Sequence, residues 1–378
     1  MRTQMLTADP VTISCYEDHV PAFVDSTMDG LYQSIFSSLA LFRVYGSIEC
    51  VHTYVVRDAG AVIAVLLFRL ERSRVVVCNE VIKIGSGEIA RFATYIFRRF
   101  DFVSVITFRA VETDVRRLPF PFQRFNALED IVLTLPATVD AYVANLGKAT
   151  RRTIRGYMNR LLRAYPSFRF EVFETVNIRE HDVMSIIHMN QARMADKDKV
   201  SAYHDAEAQR IFQLARACGL VCILLLDERV CAGAVSFRTG SHYFMTLAAH
   251  DPQFDAFRLG TLNGFLNISE CIKRGGKECH LLWGRHEYKY RFLGVERALD
   301  NVAVYRSRRM MLRHADVALK MLAEGAIRLA YCRLHDQKRK NTLAWRVAAR
   351  AADGWRSLRR IGKEAPPALL ASDKLPEE

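Results

Sequence analysis

The run LVCILLL-DER-VCAGAVSFR-TGS-HYFMTLAAH, from Leu220 to His250, decides the fold. Three apolar segments of strand length are separated by two short polar turns, Asp227-Glu228-Arg229 and Thr239-Gly240-Ser241, a pattern that predicts an antiparallel meander. A helix from about Arg258 to Arg274 and a strand from Glu278 to Trp283 follow. The same order occurs earlier in the chain: strands Val51 to Arg57, Ala61 to Leu70 and Val75 to Glu80, a helix from about Gly87 to Phe100, and a strand from Phe102 to Phe108. The fragments Leu67-Phe68-Arg69 and Ser236-Phe237-Arg238 fall at the same point of each. A tandem duplication of one α/β unit is therefore expected, each unit a mostly antiparallel mixed sheet covered by helices.

Between the units, Pro136 to Ala164 reads as one amphipathic helix. Tyr142, Leu146, Tyr157 and Leu161 share its apolar face, and Lys148, Arg151, Arg152, Arg155 and Arg163 lie opposite. Two further helices are expected near Ile178 to Ala195 and Ala202 to Cys218. After Tyr305 the chain turns helical and basic, and the tail from Glu364 is expected to be disordered. The expected domains are 1–135, 136–306, a basic helical extension over 307–363, and the tail 364–378.

With 378 residues, half of them apolar, the chain can bury sizeable cores. Its longest apolar runs, Ala61 to Phe68 and Leu220 to Leu226, fall well short of the roughly 18 residues that span a bilayer. The N-terminus lacks the layout of a secretory signal, so a cytoplasmic protein, at most peripheral to the membrane's inner face, is expected. The net charge of +13 is local. Ser307 to Lys363 holds 15 Lys and Arg against 4 Asp and Glu, and Ala141 to Phe170 holds seven basic residues and no acidic one. The rest is mildly acidic, so nucleic acid is not expected as a partner. The C-terminal helices, with Trp345 and Trp355 among arginines, suit an anionic membrane surface or an acidic protein. Nine scattered cysteines read as structural thiols; Cys218 and Cys222 have no second ligand pair, and no metal is expected.

The chemistry concentrates between His242 and Gly294. Gly260, in Arg258-Leu259-Gly260-Thr261-Leu262, opens a helix whose unpaired amides and dipole favour a pyrophosphate such as that of coenzyme A. Three features, in this order and spacing, resemble the GNAT acyltransferase superfamily, in particular the cellulose-biosynthesis-type acetyltransferases, which share a tandem architecture with the Fem-type transferases. They are Leu146-Gly147-Lys148-x-x-Arg151-Arg152-x-x-Arg155, the Arg258 to Leu262 turn, and Gly284-x-x-x-Tyr288-Lys289-x-x-Phe292-x-Gly294. Leu262 and Asn263 stand where the full GNAT phosphate loop has a second glycine-rich step.

The resemblance implies attack of an amine or hydroxyl on the thioester of acetyl-CoA or a longer acyl-CoA. Thr246, Ala248, Arg258, Gly260 and Thr261 would hold the donor. Glu287 and His286 are the candidate bases, and Tyr288 would protonate the leaving thiolate. Lys148, Arg152, Arg155 and Lys289 would hold a small-molecule or polysaccharide-precursor acceptor. The first unit, with Ile84-Gly85-Ser86-Gly87 and no following basic residue, reads as a degenerate partner that shapes the acceptor cleft. Two alternatives are a Fem-like transferase fed by aminoacyl-tRNA and a non-catalytic adaptor that binds anionic membrane or nucleic acid.

Overall fold

Residues 11–46, 48–196 and 200–339 are described in the computed structural model, and their strands join one twelve-stranded sheet. The first half contains β1 (Thr12–Tyr16), helices α1 (Val24–Tyr32) and α2 (Leu39–Val44), and the meander β2 (His52–Asp58), β3 (Ala61–Glu71) and β4 (Arg74–Val77). It continues with α3 (Ser86–Arg99), β5 (Val105–Val111) and β6 (Phe122–Thr134). The second half opens with α4 (Val139–Asn145), α5 (Lys148–Ala164), β7 (Arg169–Glu174), α6 (Glu180–Ala195) and α7 (Asp205–Cys218). Its meander is β8 (Gly219–Leu226), β9 (Arg229–Thr239) and β10 (His242–His250), followed by α8 (Leu259–Lys273), β11 (Glu278–His280), the short α9 (Glu287–Arg291) and β12 (Val295–Tyr305). The chain goes on into α10 (Arg308–Arg313) and α11 (Ala315–Arg339).

The duplicated hairpins are built alike. Ala59 and Gly60 join β2 to β3, and Asp227 and Glu228 join β8 to β9, each pair with both φ angles positive. That is the two-residue turn whose twist matches antiparallel strands. In each half the third strand of the meander lies parallel to the strand after the helix, β4 beside β5 and β10 beside β11.

The last strands are exchanged between the halves. The sheet runs β1-β2-β3-β4-β5-β12-β6-β11-β10-β9-β8-β7, so β12 sits between β5 and β6, and β6 between β12 and β11. Neither strand was foreseen, and together they make the halves one body. One hydrophobic core holds Val55 and Leu67 from the first meander, Val221 and Val235 from the second, and side chains of the helices between them. At roughly 1.5–3 kcal/mol for each large side chain buried, that shared core sets how the halves meet. A second core lies under α3, and a third under α4, α5 and α8.

The helix expected over Pro136 to Ala164 is two helices. Leu146 is buried and extended (ψ 145°), which turns its side chain inward, and Gly147 follows with ψ 144° before α5 begins. Of the expected apolar stripe, Tyr142, Leu146 and Leu161 are buried and Tyr157 is half-buried, although the helix that was to carry them is broken between Leu146 and Lys148.

All nine cysteines are free, and burial raises the thiols of Cys218 and Cys222 to about 12, so they stay protonated. Helix α11 lies along β6: Gln123 Nε2 donates to the Ala318 carbonyl, and the buried Arg328 is paired with Glu129. Its outer face leaves Leu319, Leu322, Ile327 and Leu329 exposed. No described helix is long and apolar enough to cross a membrane. The rest of the expected 307–363 extension, with Trp345 and Trp355, and the 364–378 tail lie outside the described residues.

Candidate active site

Strands β10 and β11 pair in parallel at His242 with Glu278, Tyr243 with Cys279 and Phe244 with His280. Beyond that point they part. The continuation of β11 is drawn to β6, where the Leu281 amide donates to Ile131 O at 2.7 Å and the Ile131 amide to Leu282 O at 3.2 Å. β10 stays with β9 as far as the pairing of His250 with Ala232. A wedge opens between the two. On its β10 arm the register slips between Met245 and Leu247, so Thr246 is an inserted residue. The slip reverses the alternation: Tyr243 and Met245 pack towards α8, whereas Leu247 and Ala249 face the shared core. Ala248 is left solvent-exposed on an inner strand. Tyr203 fixes the bulge by donating its hydroxyl to Thr246 O at 2.9 Å.

The start of α8 forms the mouth of the wedge. Pro252–Phe257 is a 3₁₀ turn, and Arg258 in the left-handed conformation (φ 52°) hands the chain to the helix. The helical ladder starts with Thr261 and Leu262 donating to the Arg258 carbonyl, so the amides of Leu259 and Gly260 lie ahead of it. A Cβ at Gly260 would stand 3.1 Å from the His250 ring. Arg160 of α5 reaches the same loop, donating to Ala256 O at 3.3 Å with its guanidinium 5.3 Å from the Phe257 ring centre. The loop also carries two carboxylates held by local partners: Asp251 by Arg229, and Asp255 by His250 at 2.8 Å.

The opposite wall is residues 281–294. Lys289 is buried and donates from Nζ to Leu282 O at 2.9 Å and to Trp283 O. It therefore bolts the wall together and does not reach into the wedge, contrary to its expected acceptor role. Arg285 lies 2.9 Å from Glu296 and 3.6 Å from Glu129. His286 stacks on Tyr288 with ring centres 6.0 Å apart, and Tyr288 meets Phe292 edge-on at 6.4 Å. Desolvation raises the Tyr288 phenol above its ordinary value, while Arg193 of α6 pulls it down. Glu287 points to solvent and pairs with Arg291 at 2.6 Å.

The structure thus puts Thr246, Ala248, Arg258, Gly260 and Thr261 on one arm and the mouth, and His286 and Tyr288 on the facing wall. Lys148, Arg152 and Arg155 are exposed on α5, whose opposite end abuts the mouth. Lys148 is roughly 18 Å along the helix from Arg160, at about 1.5 Å per residue. The sequence reading missed Tyr203 and Arg193, which sit in a patternless stretch and on a weakly amphipathic helix. It also missed Trp283, whose buried indole Nε1 lacks a partner among the described residues.

Residues 148–290 match the acetyltransferase (GNAT) domain family. That segment holds both arms of the wedge and the mouth, with basic α5 at its start. The fold is similar to the crystal structure of FemX, with a TM-score of 0.58 over 79% of this chain and 99% of that one, at 8% identity. Two further similar structures are the C-terminal domain of a putative lysylphosphatidylglycerol synthetase from Agrobacterium fabrum (TM-score 0.47, 13% identity, 78% and 95% covered) and a tandem GNAT protein of the clavulanic acid biosynthesis pathway (TM-score 0.38, 10% identity, 77% and 98% covered). No curated protein matches the chain in sequence.

Outside the GNAT-domain match, the corresponding wedge of the first half is closed. After β4 the chain loops out and rejoins β5, and residues 81–84 extend the parallel pairing: Val81 N donates to Ala110 O, Glu112 N to Ile82 O and Ile84 N to Glu112 O, each at 2.9 Å. The first amide of α3, at Ser86, is capped by Asp114 Oδ1 at 3.1 Å.

Proposed function

We propose that the chain transfers an acyl group from acyl-CoA to an amine or hydroxyl of a sugar or lipid precursor, with the thioester seated in the wedge of its GNAT domain. The observation that carries this reading is the open, bulged edge of β10 leading to the uncommitted amides at the start of α8. A pantetheine arm can hydrogen-bond to such an edge as an added strand would, and a pyrophosphate suits the helix start beside Arg258 and Arg160. The acceptor attacks the thioester carbon, and the tetrahedral oxyanion collapses to expel the CoA thiolate. Tyr288, a phenol neutral at pH 7, is the proton donor to that thiolate. Its stacked neighbour His286 takes the acceptor's proton. Glu287, held outward by Arg291, is the weaker candidate.

Lys148, Arg152 and Arg155 suit an anionic partner or the far end of a long acceptor. The outer leucines of α11, next to the basic C-terminal region, suit an anionic membrane surface, which vesicle co-sedimentation at two salt concentrations would test.

Isothermal titration of the purified chain with acetyl-CoA, longer acyl-CoAs and aminoacyl-tRNA tests the donor. One acyl-CoA per chain is expected. Binding of aminoacyl-tRNA without acyl-CoA would replace the proposal with a Fem-like transfer, and binding of neither would leave the adaptor reading.

A further inference from the structure

At the β10–β11 pair, below the closed end of the wedge, two imidazoles and a carboxylate converge. His280 Nε2 lies 3.4 Å from His242 Nδ1 and 3.4 Å from Glu278 Oε2, and His242 Nδ1 lies 3.7 Å from Glu278 Oε2. We propose that these three atoms are the ligands of a divalent first-row transition metal, zinc by geometry, with a fourth position left open.

The spacing is the first argument. Most good hydrogen bonds between such atoms are about 2.7–3.2 Å long, and all three separations exceed that. Ligands about 2.0–2.1 Å from a tetrahedral zinc stand about 3.4 Å from one another, whereas adjacent octahedral ligands at that bond length stand only about 3.0 Å apart. The observed triangle fits the tetrahedral case. The donor set is the second argument, since two imidazoles and one carboxylate with an open position form a recurrent zinc set. Orientation is the third. The other ring nitrogen of His280, Nδ1, lies 2.5 Å from Asp130 Oδ2, and both residues are buried. A buried carboxylate behind the second imidazole nitrogen is how metal-bound histidines are held, with Nδ1 protonated and Nε2 turned to the ion. The ring is fixed further by Phe244, stacked on it at 4.1 Å.

Arg297 also holds Glu278, with contacts of 2.9 and 3.0 Å to its two oxygens. That pairing orients the carboxylate and leaves a lone pair of Oε2 for the ion. His242 and Glu278 remain partly accessible, so an ion has a way in. The ion would clasp the paired ends of β10 and β11 about 13 Å from Thr246, at about 3.3 Å per strand residue. It is thus a site separate from the thioester and independent of the proposed reaction.

The test is titration of the EDTA-stripped full chain with Co²⁺, followed by displacement with Zn²⁺ and elemental analysis. One equivalent of Co²⁺ with the intense visible bands of tetrahedral coordination is expected, displaced by one Zn²⁺ and accompanied by a higher melting temperature. H242A and E278Q should weaken binding at least 100-fold, and H250A, which removes a His–Asp pair at the far end of β10, should not. Failure of the unaltered chain to take up Co²⁺ or Zn²⁺ at micromolar concentration would overturn the proposal, whatever the variants do. So would equal uptake by folded H242A and E278Q.

Discussion

The two halves repeat the same parallel strand pair and following helix, yet they treat that unit in opposite ways. In the first half β4 leaves β3 at Val77, the next residues fold back onto the end of β5, and Asp114 caps the helix. In the second half β10 follows β9 through nine residues and takes up a bulge at Thr246, while the end of β11 is claimed by β6. The meanders are equivalent, so the difference lies in where a few backbone amides find acceptors after the parallel pair. A short third strand lets the chain close its own wedge; a long one, held by its hairpin partner, keeps it open. The sheet buries its backbone polar groups in pairs nearly everywhere, so an unzipped edge between two inner strands is an unusual feature and suits a ligand's backbone-like amides.

The sharpest way to break this comparison is to alter both helix starts. Gly260→Asp should weaken acyl-CoA binding by about 100-fold, or about 2.8 kcal/mol, by setting a carboxylate where the pyrophosphate is proposed to lie. Gly87→Asp, at the equivalent place in the closed half, has open space around its Cβ and should change binding by less than a factor of two. Because the His250 ring stands 3.1 Å from a Cβ at Gly260, Gly260→Ala serves as the steric control and should retain most of the affinity. Titration calorimetry on all three decides it; equal losses at both glycines would mean that the donor does not distinguish the halves.

Next in size is the wall of the open wedge. Lys289→Met removes the donor to two buried carbonyls, Leu282 and Trp283, and an unsatisfied buried acceptor costs about 1–3 kcal/mol. A drop of about 2–3 kcal/mol in urea-unfolding stability is expected. A neutral result would show that the wall holds its shape without the lysine. Smaller again is Tyr203→Phe, which frees the Thr246 carbonyl at the bulge. It should cost about 1 kcal/mol of stability, the usual worth of one hydrogen bond. If the bulge positions the thioester, kcat/KM should fall about tenfold with little change in acceptor KM. Unchanged turnover would separate the bulge from the chemistry.

Both meanders, both long helices after them and the glycine at the mouth were legible because hydrophobic period and turn chemistry are local. The exchange of β6 and β12 was not. Arg124, Asn126, Glu129 and Asp130 interrupt the apolar alternation of β6, since their partners Asp300, Leu299 O, Arg328 and His280 come from distant strands and a helix. No local pattern encodes such pairings. The same reason hid the His242, Glu278 and His280 triangle, whose members look like ordinary polar residues at strand ends until β10 and β11 lie side by side. Lys289 was misjudged for a related cause: in sequence it sits among exposed polar residues, and only the fold shows that a one-turn helix points it inward. The helix that opens after Arg258 was legible because a helix start is a local event.

The smallest effect tests whether the first half is closed by its carboxylate or by its ladder. Asp114 contributes one charge-assisted bond to the first amide of α3, a favourable position relative to the helix dipole. Asp114→Ala should therefore lower stability by only about 0.5–1 kcal/mol, read as a small shift of the urea midpoint. The hydrogen bonds that join residues 81–84 to Ala110 and Glu112 are main-chain bonds and survive the substitution, so the wedge should stay shut. On the proposed function, acyl-CoA should then still bind at a single site per chain. A second equivalent bound by Asp114→Ala would show that a single side chain, not the return of the strand, separates a silent unit from a binding one.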